Sequence, residues 1–221
     1  MEIKYDMVKN NDNINAYIKN ADECLESIGY TEHSFAHVGI VTKTAAKILR
    51  EFGYTEKEVE LVKVAAYMHD IGNVINRSDH AQTGAIMAFR ILSDMGIDAD
   101  DISKVCCAIG NHDEGTGLPV NAITAALILA DKCDVRRNRI RKEMLINGSK
   151  IHYNVNYSVS NSKVMIDAEK RTITLELIID TSICSVMDYF EIFLTRMKLC
   201  KLAAKRLNAN FVLIINNQVH S

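Results

Sequence analysis

The chain has 221 residues, of which 48% are hydrophobic and 24% charged, and its formal net charge is −2. This composition predicts a globular protein with a sizeable core, and the near-neutral charge gives no bias towards nucleic acids or membrane surfaces. No apolar run reaches the roughly 20 residues that cross a bilayer, and the first residues lack the apolar stretch of a signal peptide. The six cysteines include no C-x-x-C pair, which favours reduced thiols. We therefore expect a cytoplasmic protein.

The first part of the chain shows the three- and four-residue apolar spacing of amphipathic helices. Five such helices are predicted, beginning near Ile14, Thr31, Thr55, Asp79 and either Asp100 or Asp101. Thr55 and Glu58 form a capping-box pattern at the start of the third. A sixth helix, opened by Asn121, is apolar on every side from Ile123 to Ala130. This helix is therefore expected at the centre of the fold.

Near Gly148 the periodicity changes. Residues Thr172–Leu177 alternate as in a half-buried strand, and Val164–Ile166 is expected to pair with them through a turn. An amphipathic helix from about Cys184 to Leu207 and a short apolar strand, Phe211–Ile215, follow. The predicted fold class is mainly α: a helical bundle over residues 1–148, then a small α+β domain over residues 149–221.

Histidine and aspartate side chains recur at predicted helix ends and on buried helix faces. His69 and Asp70 close the third helix. His37 lies on the inner face of the second helix, and Asp131 lies on the central one. Imidazole nitrogens and carboxylate oxygens are ligands of iron, manganese, zinc and magnesium ions, and a lone buried carboxylate is costly. These residues predict a divalent metal site, with His33, on the same helical face as His37, as the alternative first ligand.

The order of these residues resembles the HD superfamily of metal-dependent phosphohydrolases, whose signature is a His, then a His-Asp pair, then an Asp. The matching residues are His37, His69-Asp70 and Asp131. The sequence around the last two motifs, Ala65–Gly72 and Leu129–Asp134, is similar as well. The resemblance extends from about residue 31 to residue 141. It implies an HD-domain helical bundle with the metal at its centre and phosphoester hydrolysis as the reaction.

Two further histidines match the HD proteins that have a two-metal centre. His80 and His112 lie between the His-Asp pair and the final Asp, which resembles the HD enzymes that cleave diadenosine tetraphosphate. The similarity to the HD-GYP cyclic-dinucleotide phosphodiesterases is looser, because Leu118 and Asn111 depart from that family's motif. The resemblance implies two divalent ions (Fe, Mn, Mg or Zn) on six ligands: His37, His69, Asp70, His80, His112 and Asp131.

The reaction implied by the resemblance is hydrolysis of a phosphoester or phosphoanhydride bond in a small phosphorylated molecule, with a nucleotide as the favoured kind. The attacking water is expected to be activated by a dinuclear metal centre. Asp70, His69 and Asp131 are the expected catalytic residues. Among them, Asp70 is expected to bridge the two ions, because a carboxylate has two oxygens.

A basic run follows the last expected ligand. On a continuous helix, Lys132, Arg136 and Arg139 form one stripe that would meet substrate phosphates, so these three are the candidate substrate-binding residues. A solvated face, or pairing with an acid such as Asp134, is the alternative. Four residues that follow ligand positions are candidates for outer contacts or proton transfer: Asn73, Arg77, Asp113 and Glu114.

Two other functions are compatible with the same residues. In the first, the protein is a non-catalytic sensor that binds a metal and a nucleotide at this site and signals through the small domain. Alternatively, the small domain mainly builds a homo-oligomer, since strand Thr172–Ile179 and the following helix carry more apolar surface than so small a domain buries alone. That helix contributes Phe190, Phe193, Leu194 and Met197. Sequence-specific DNA binding is disfavoured by the lack of net positive charge.

Overall fold

A computed structural model describes residues 1–141 and 151–220 of the chain. Over residues 1–141 the apolar spacing of the sequence corresponds to seven α-helices. They are α1 (Tyr5–Lys9), α2 (Asp12–Ser27), α3 (Phe35–Glu51), α4 (Glu56–Met68), α5 (His80–Asp94), α6 (Ala99–Gly110) and α7 (Ala122–Lys132). Short 3-10 turns follow α4 and α7, at Ile71–Val74 and Arg137–Arg139.

Residues 151–220 combine two helices with a four-stranded sheet of order β1-β2-β3-β4. The elements are α8 (Ile151–Ser158), β1 (Val159–Asp167), β2 (Thr172–Ile179), α9 (Val186–Arg206), β3 (Asn210–Ile215) and β4 (Gln218–Val219). β1 and β2 form an antiparallel hairpin that pairs Val164 with Leu175, so the predicted pairing is confirmed. α9 crosses over to bring β3 parallel to β2, and β4 runs antiparallel to β3.

The fold is therefore mainly α with a small α+β unit at its C-terminal side, as the sequence predicts. The domain boundary predicted between residues 148 and 149 lies outside the described residues. Among the described helices, none has the length and apolarity needed to cross a membrane.

Side-chain caps decide where several helices begin. Thr55 and Glu58 form the predicted capping box of α4. α3 starts later than the predicted Thr31, because the hydroxyl of Ser34 accepts a hydrogen bond from an N–H of the first turn. α6 starts slightly earlier than predicted, because Asp98 caps it in the same way. The predicted helices are all present, and these two differ from the prediction in their first residues.

The helix that the sequence extends through the basic run ends at Lys132. Beyond it, Asp134 turns inwards to accept a hydrogen bond from His37, and Arg139 donates to two backbone oxygens. These long-range contacts hold the chain outside the helical path. Lys132, Arg136 and Arg139 therefore do not share one helical stripe, and that part of the prediction is wrong.

Helix α7 lies at the centre of the fold, as its uniformly apolar sequence predicts. It packs against α3, α4, α6 and, from the C-terminal unit, α9. Phe193 and Met197 of α9 are buried, and they join the same apolar core as the helices of residues 1–141. Part of the apolar surface that suggested an oligomer is thus covered within the chain.

A close backbone approach joins the turn after α4 to α5. A Cβ atom on Gly72 would lie 2.0 Å from the carbonyl oxygen of His80 and 2.5 Å from the backbone nitrogen of Gly84. Such distances are far below van der Waals contact, so only glycine fits at this position. Gly72 thereby sets the separation between the His69-Asp70 pair and the start of α5.

Gly72→Ala is expected to lower the free energy of unfolding by roughly 1–3 kcal/mol, because the new methyl group must push α5 away. Thermal unfolding followed by circular dichroism measures the change. Gly39→Ala is the matched control. This glycine lies within α3, and a Cβ atom added to it would meet no neighbouring atom within 4 Å, so the substitution should leave stability unchanged or raise it slightly. Equal stability of the two variants would contradict the close approach.

Candidate metal centre

The structure brings the six predicted ligands together, and each is delivered by the end of a helix. His37 lies in the first turn of α3, His69 and Asp70 close α4, His80 opens α5, His112 follows α6, and Asp131 lies in the last turn of α7. All six are buried, with exposed fractions of 9% or less. Five helices thus converge on one point, where their ends leave room for side chains instead of backbone contacts.

Four of these residues form a first group of facing ligand atoms. Oδ2 of Asp70 lies 3.1 Å from Nε2 of His69 and 3.8 Å from Nε2 of His37. Oδ1 of Asp131 lies 3.3 Å from Nε2 of His37 and 3.8 Å from Nε2 of His69. Two carboxylate oxygens and two imidazole nitrogens therefore point at one another.

The other oxygen of Asp70 faces a second group. Oδ1 of Asp70 lies 3.5 Å from Nε2 of His80 and 3.9 Å from Nε2 of His112. The two Nε2 atoms of this histidine pair lie 3.3 Å apart. Asp70 thus stands between the two groups, with one oxygen towards each.

Each histidine in the cluster turns its Nε2 towards the other candidate ligands, and its Nδ1 is held by a hydrogen bond. The Nδ1–H groups of His69, His80 and His112 donate to backbone oxygens one turn earlier, at 2.8, 3.1 and 2.6 Å. The Nδ1–H of His37 donates to Oδ2 of Asp134 at 2.7 Å. Each ring is therefore fixed in orientation, and in its neutral form it directs the lone pair of Nε2 into the cluster.

Two polar side chains outside the cluster position its ligands. Asp134 accepts a hydrogen bond from His37 and also pairs with Arg136, which belongs to the basic run. The Nδ2 of Asn73 donates to both the backbone oxygen and Oδ1 of Asp70, each at 2.9 Å. These contacts orient ligands in the manner common at metal sites.

The electrostatics of the cluster are dominated by its two buried carboxylates. Burial raises the pKa of Asp70, but the positive charge of His69 outweighs it and holds the pKa well below its usual range. Burial lowers the pKa of His69, and the adjacent carboxylates of Asp70 and Asp131 reverse this and raise it to about 10. Burial and nearby positive charge lower the pKa of His112 to about 3. The carboxylates thus attract a cation, while His112 stays neutral.

The donor set fits a divalent metal ion. Three buried atoms of the first group, Nε2 of His37, Nε2 of His69 and Oδ2 of Asp70, have no hydrogen-bond partner among the described residues. Buried polar atoms are normally satisfied, so their common orientation indicates a cation that accepts their lone pairs. Within the cluster, three sets of residues each have ligand atoms within 4.8 Å of one another: His37, His69 and Asp70; His69, His112 and Asp131; and Asp70, His80 and His112.

His33, the alternative first ligand, lies beside the cluster and outside these three sets. Its Nδ1–H donates to the backbone oxygen of Thr31 at 2.6 Å, and its ring packs edge-on against that of His37, with 5.4 Å between ring centroids. The geometry therefore favours His37 as the ligand. The sequence placed both histidines on one helical face because the helix was predicted to begin at Thr31. In the structure α3 begins after His33, so only His37 lies on the helix.

The three candidate substrate-binding residues lie in different places. Lys132 and Arg139 line a cavity of about 340 Å³ that opens onto the cluster, and Arg136 does not line it. Both sides of the Arg136 guanidinium fork bond the carboxylate of Asp134. This is the pairing that stood as the alternative for the basic run.

Lys132 links the cluster to an ion pair between Glu114 and Arg196, which the sequence did not predict. Its Nζ lies 2.7 Å from Oδ2 of Asp131 and 3.7 Å from Oε2 of Glu114. Glu114 in turn accepts two hydrogen bonds from Arg196 of α9, at 3.0 and 3.2 Å. Glu114 was among the candidates for outer contacts, whereas Arg196 was missed, because nothing in an amphipathic helix indicates which distant loop it meets.

Residues 34–139 match the family model described as the HD domain, and this match agrees with the geometry of the cluster. The similarity to the HD domain family extends over these residues. An uncharacterised protein of Methanocaldococcus jannaschii is 24% identical to this chain over 198 residues, which cover 79% of the chain and 75% of the relative. The crystal structure of a predicted HD superfamily hydrolase from an uncultured Thermotogales bacterium is 25% identical, covers 57% of this chain and 68% of that one, and has a TM-score of 0.44.

All six candidate ligands of the HD domain fall within the matched residues, and Arg196 falls outside them. The resemblance found in the sequence is therefore confirmed. At the level of the family, the HD domain and its His/Asp cluster support a metal-dependent phosphohydrolase that binds divalent metal and acts on a small molecule.

Asp70→Ala is expected to abolish metal binding, because it removes a buried carboxylate whose two oxygens face the two groups of candidate ligands. Helicity should change little, since the Asp70 side chain caps no helix. Titration calorimetry with Mn²⁺ and far-ultraviolet circular dichroism measure the two effects. The matched control is Asp94→Ala, at an exposed position paired only with Arg90. Mn²⁺ binding by Asp70→Ala equal to that of the unaltered protein would rule out the site.

Proposed function

We propose that the protein hydrolyses a phosphoester or phosphoanhydride bond in a small phosphorylated molecule, and that this molecule is a nucleotide. The proposal includes a dinuclear metal centre, with His69, Asp70 and Asp131 as catalytic residues. The observation that carries it is the position of Asp70, whose two oxygens face two separate groups of ligand atoms. A carboxylate in this position would be shared by two metal ions, which when bound would supply an activated water and positive charge.

The residues divide between two ions as follows. His37, His69 and Asp131 would hold one ion, His80 and His112 the other, with Asp70 shared between them. When bound, such ions supply an activated water and positive charge for the phosphoryl oxygens. The protein contributes preorganised ligands, because each histidine ring is already fixed through its Nδ1–H.

Lys132 is suited to bind a phosphoryl oxygen beside the cluster. Burial lowers its pKa, but the carboxylates of Asp131 and Glu114 outweigh burial and raise it above the usual value, so the ammonium group keeps its charge. Its Nζ lies at the cavity wall, next to the oxygen of Asp131 that points away from the histidines. A phosphate in the cavity would therefore meet this charge as soon as it reaches the ligands.

The charge of the cavity supports a phosphorylated substrate. Apart from the candidate ligands, the described wall carries four cationic side chains and one carboxylate: Arg77, Lys132, Arg139 and Arg196 against Glu114. Arg139 already bonds backbone oxygens, so Arg77, Lys132 and Arg196 remain the groups best able to meet an anion. The excess of positive charge beside a metal site favours phosphate over neutral substrates.

The size and aromatic lining of the cavity support a nucleotide. Its volume of about 340 Å³ lies at the lower end of the range for small-molecule pockets. Tyr30, Tyr153 and Phe193 line it, and the guanidinium of Arg77 lies 5.4 Å from the ring centroid of Tyr30. Aromatic rings and a stacked guanidinium offer flat surfaces for a base, while the cations face its phosphates.

Metal-loaded protein is expected to hydrolyse members of a panel of nucleotides, dinucleoside polyphosphates and sugar phosphates, with phosphate release as the measurement. Chelation should abolish the activity, and added Mn²⁺ or Fe²⁺ should restore it. Asp70→Ala is the inactive control. Tight nucleotide binding without any turnover would instead favour the non-catalytic sensor and reject the enzyme.

His80→Ala is expected to reduce the metal content from two ions to one per chain, because it removes a ligand from one group only. Elemental analysis by mass spectrometry after loading with Mn²⁺ measures the stoichiometry. His33→Ala is the matched control, since this histidine lies beside the cluster and outside the ligand sets; it should retain two ions. A stoichiometry of one in the unaltered protein would contradict the dinuclear centre.

A further inference from the structure

Helix α9 lies outside the HD domain match and nevertheless contributes to the wall of its cavity. Arg196 and Phe193 are the two lining residues from this helix. The guanidinium of Arg196 lies 4.4 Å from the ring centroid of Phe193, and its Nε and Nη2 donate to the carboxylate of Glu114. A ring on one side and a carboxylate on the edge hold the guanidinium in one orientation.

Arg196 keeps donor capacity that these contacts do not use. A guanidinium carries five N–H groups, and Glu114 occupies only the edge formed by Nε and Nη2. Among the described residues, no acceptor hydrogen-bonds the remaining Nη1. The side chain is only 20% exposed, so its free donors lie in the partly desolvated cavity, where an anion is bound more strongly than at an open surface.

Arg196 ends a row of alternating charges that begins at the His/Asp cluster. Nζ of Lys132 lies 2.7 Å from Oδ2 of Asp131 and 3.7 Å from Oε2 of Glu114, and Glu114 in turn lies 3.0 Å from Nε of Arg196. Oδ1 of Asp113 also lies 3.9 Å from Nζ of Lys132. Carboxylates therefore offset Lys132 on several sides, while Arg196, at the α9 end of the row, faces the cavity with its remaining donors.

We propose that α9 supplies a specificity residue to the HD domain: Arg196 binds a second phosphoryl group of the substrate, next to the one at the metal cluster. The inference rests on the proposed function and sharpens its substrate class to molecules with two or more linked phosphates, such as nucleoside diphosphates and triphosphates. Lys132 would contact the phosphoryl group near Asp131, and Arg196 the following one.

The test compares the binding of AMP with that of a non-hydrolysable diphosphate, α,β-methylene-ADP, by titration calorimetry. Arg196→Gln is expected to weaken binding of the diphosphate roughly 10- to 100-fold, which is the usual contribution of a charge-assisted contact, and that of AMP less than about 3-fold. Lys198→Gln, an exposed position on the same helix with the same loss of charge, should change neither. Arg196→Lys should give an intermediate loss, and thermal unfolding verifies that each variant is folded.

Equal weakening of AMP and the diphosphate, or no weakening of either, by folded Arg196→Gln or Arg196→Lys would overturn the inference. The result is separable from that of the proposed function, because binding is measured without turnover. Discrimination between the two probes in a protein that hydrolyses no member of the panel would reject the enzyme and retain the phosphate contact. If the protein hydrolyses nucleotides but the Arg196 variants discriminate between the two probes as the unaltered protein does, the enzyme is retained and the phosphate contact is rejected.

Discussion

Two carboxylates, Asp70 and Asp131, are buried side by side at the centre of this protein, and the rest of the site depends on offsetting their charge. A buried carboxylate without a partner is costly by several kcal/mol. Each therefore has one oxygen towards histidine nitrogens and the other towards a second partner, which is the His80–His112 pair for Asp70 and Lys132 for Asp131. The same arrangement of oxygens and imidazole nitrogens is what divalent cations require.

The helical bundle makes this arrangement rigid. Backbone oxygens of the last turns of α4 and α6 accept the Nδ1–H groups of His69 and His112, and the loop before α5 does the same for His80. Helix α7, apolar on every side, anchors Asp131 between α3, α4, α6 and α9. The contact at Gly72 holds the start of α5 against the His-Asp pair, so that His80 reaches Asp70. Ligand positions are thus set by packing that does not itself touch the cavity.

The C-terminal unit packs on the helical bundle and contributes to the cavity. Its helix α9 covers α7 and shares one apolar core with the bundle, so part of the surface that resembled an oligomer interface in the sequence is internal. The same helix brings Arg196 to the cavity, whose other described cationic wall residues, Arg77, Lys132 and Arg139, lie within the HD domain match. In our proposals, the HD domain provides the chemistry, and the unit beyond it selects among phosphorylated molecules.

The sequence by itself determined most of the helices, the hairpin and the order of the six candidate ligands, because periodicity, caps and motif spacing are local properties. It offered Asp134 as a partner for the basic run and did not pair it with His37, kept His33 as the alternative to His37, and extended α7 too far into the basic run. Tertiary structure decided these points, since they depend on contacts such as that between Arg139 and the backbone near α3. It also decided the pairing of Arg196 with Glu114, which lies 82 residues away in the chain. A pairing over that distance leaves no periodic signal, because it is made only when α9 packs on α7.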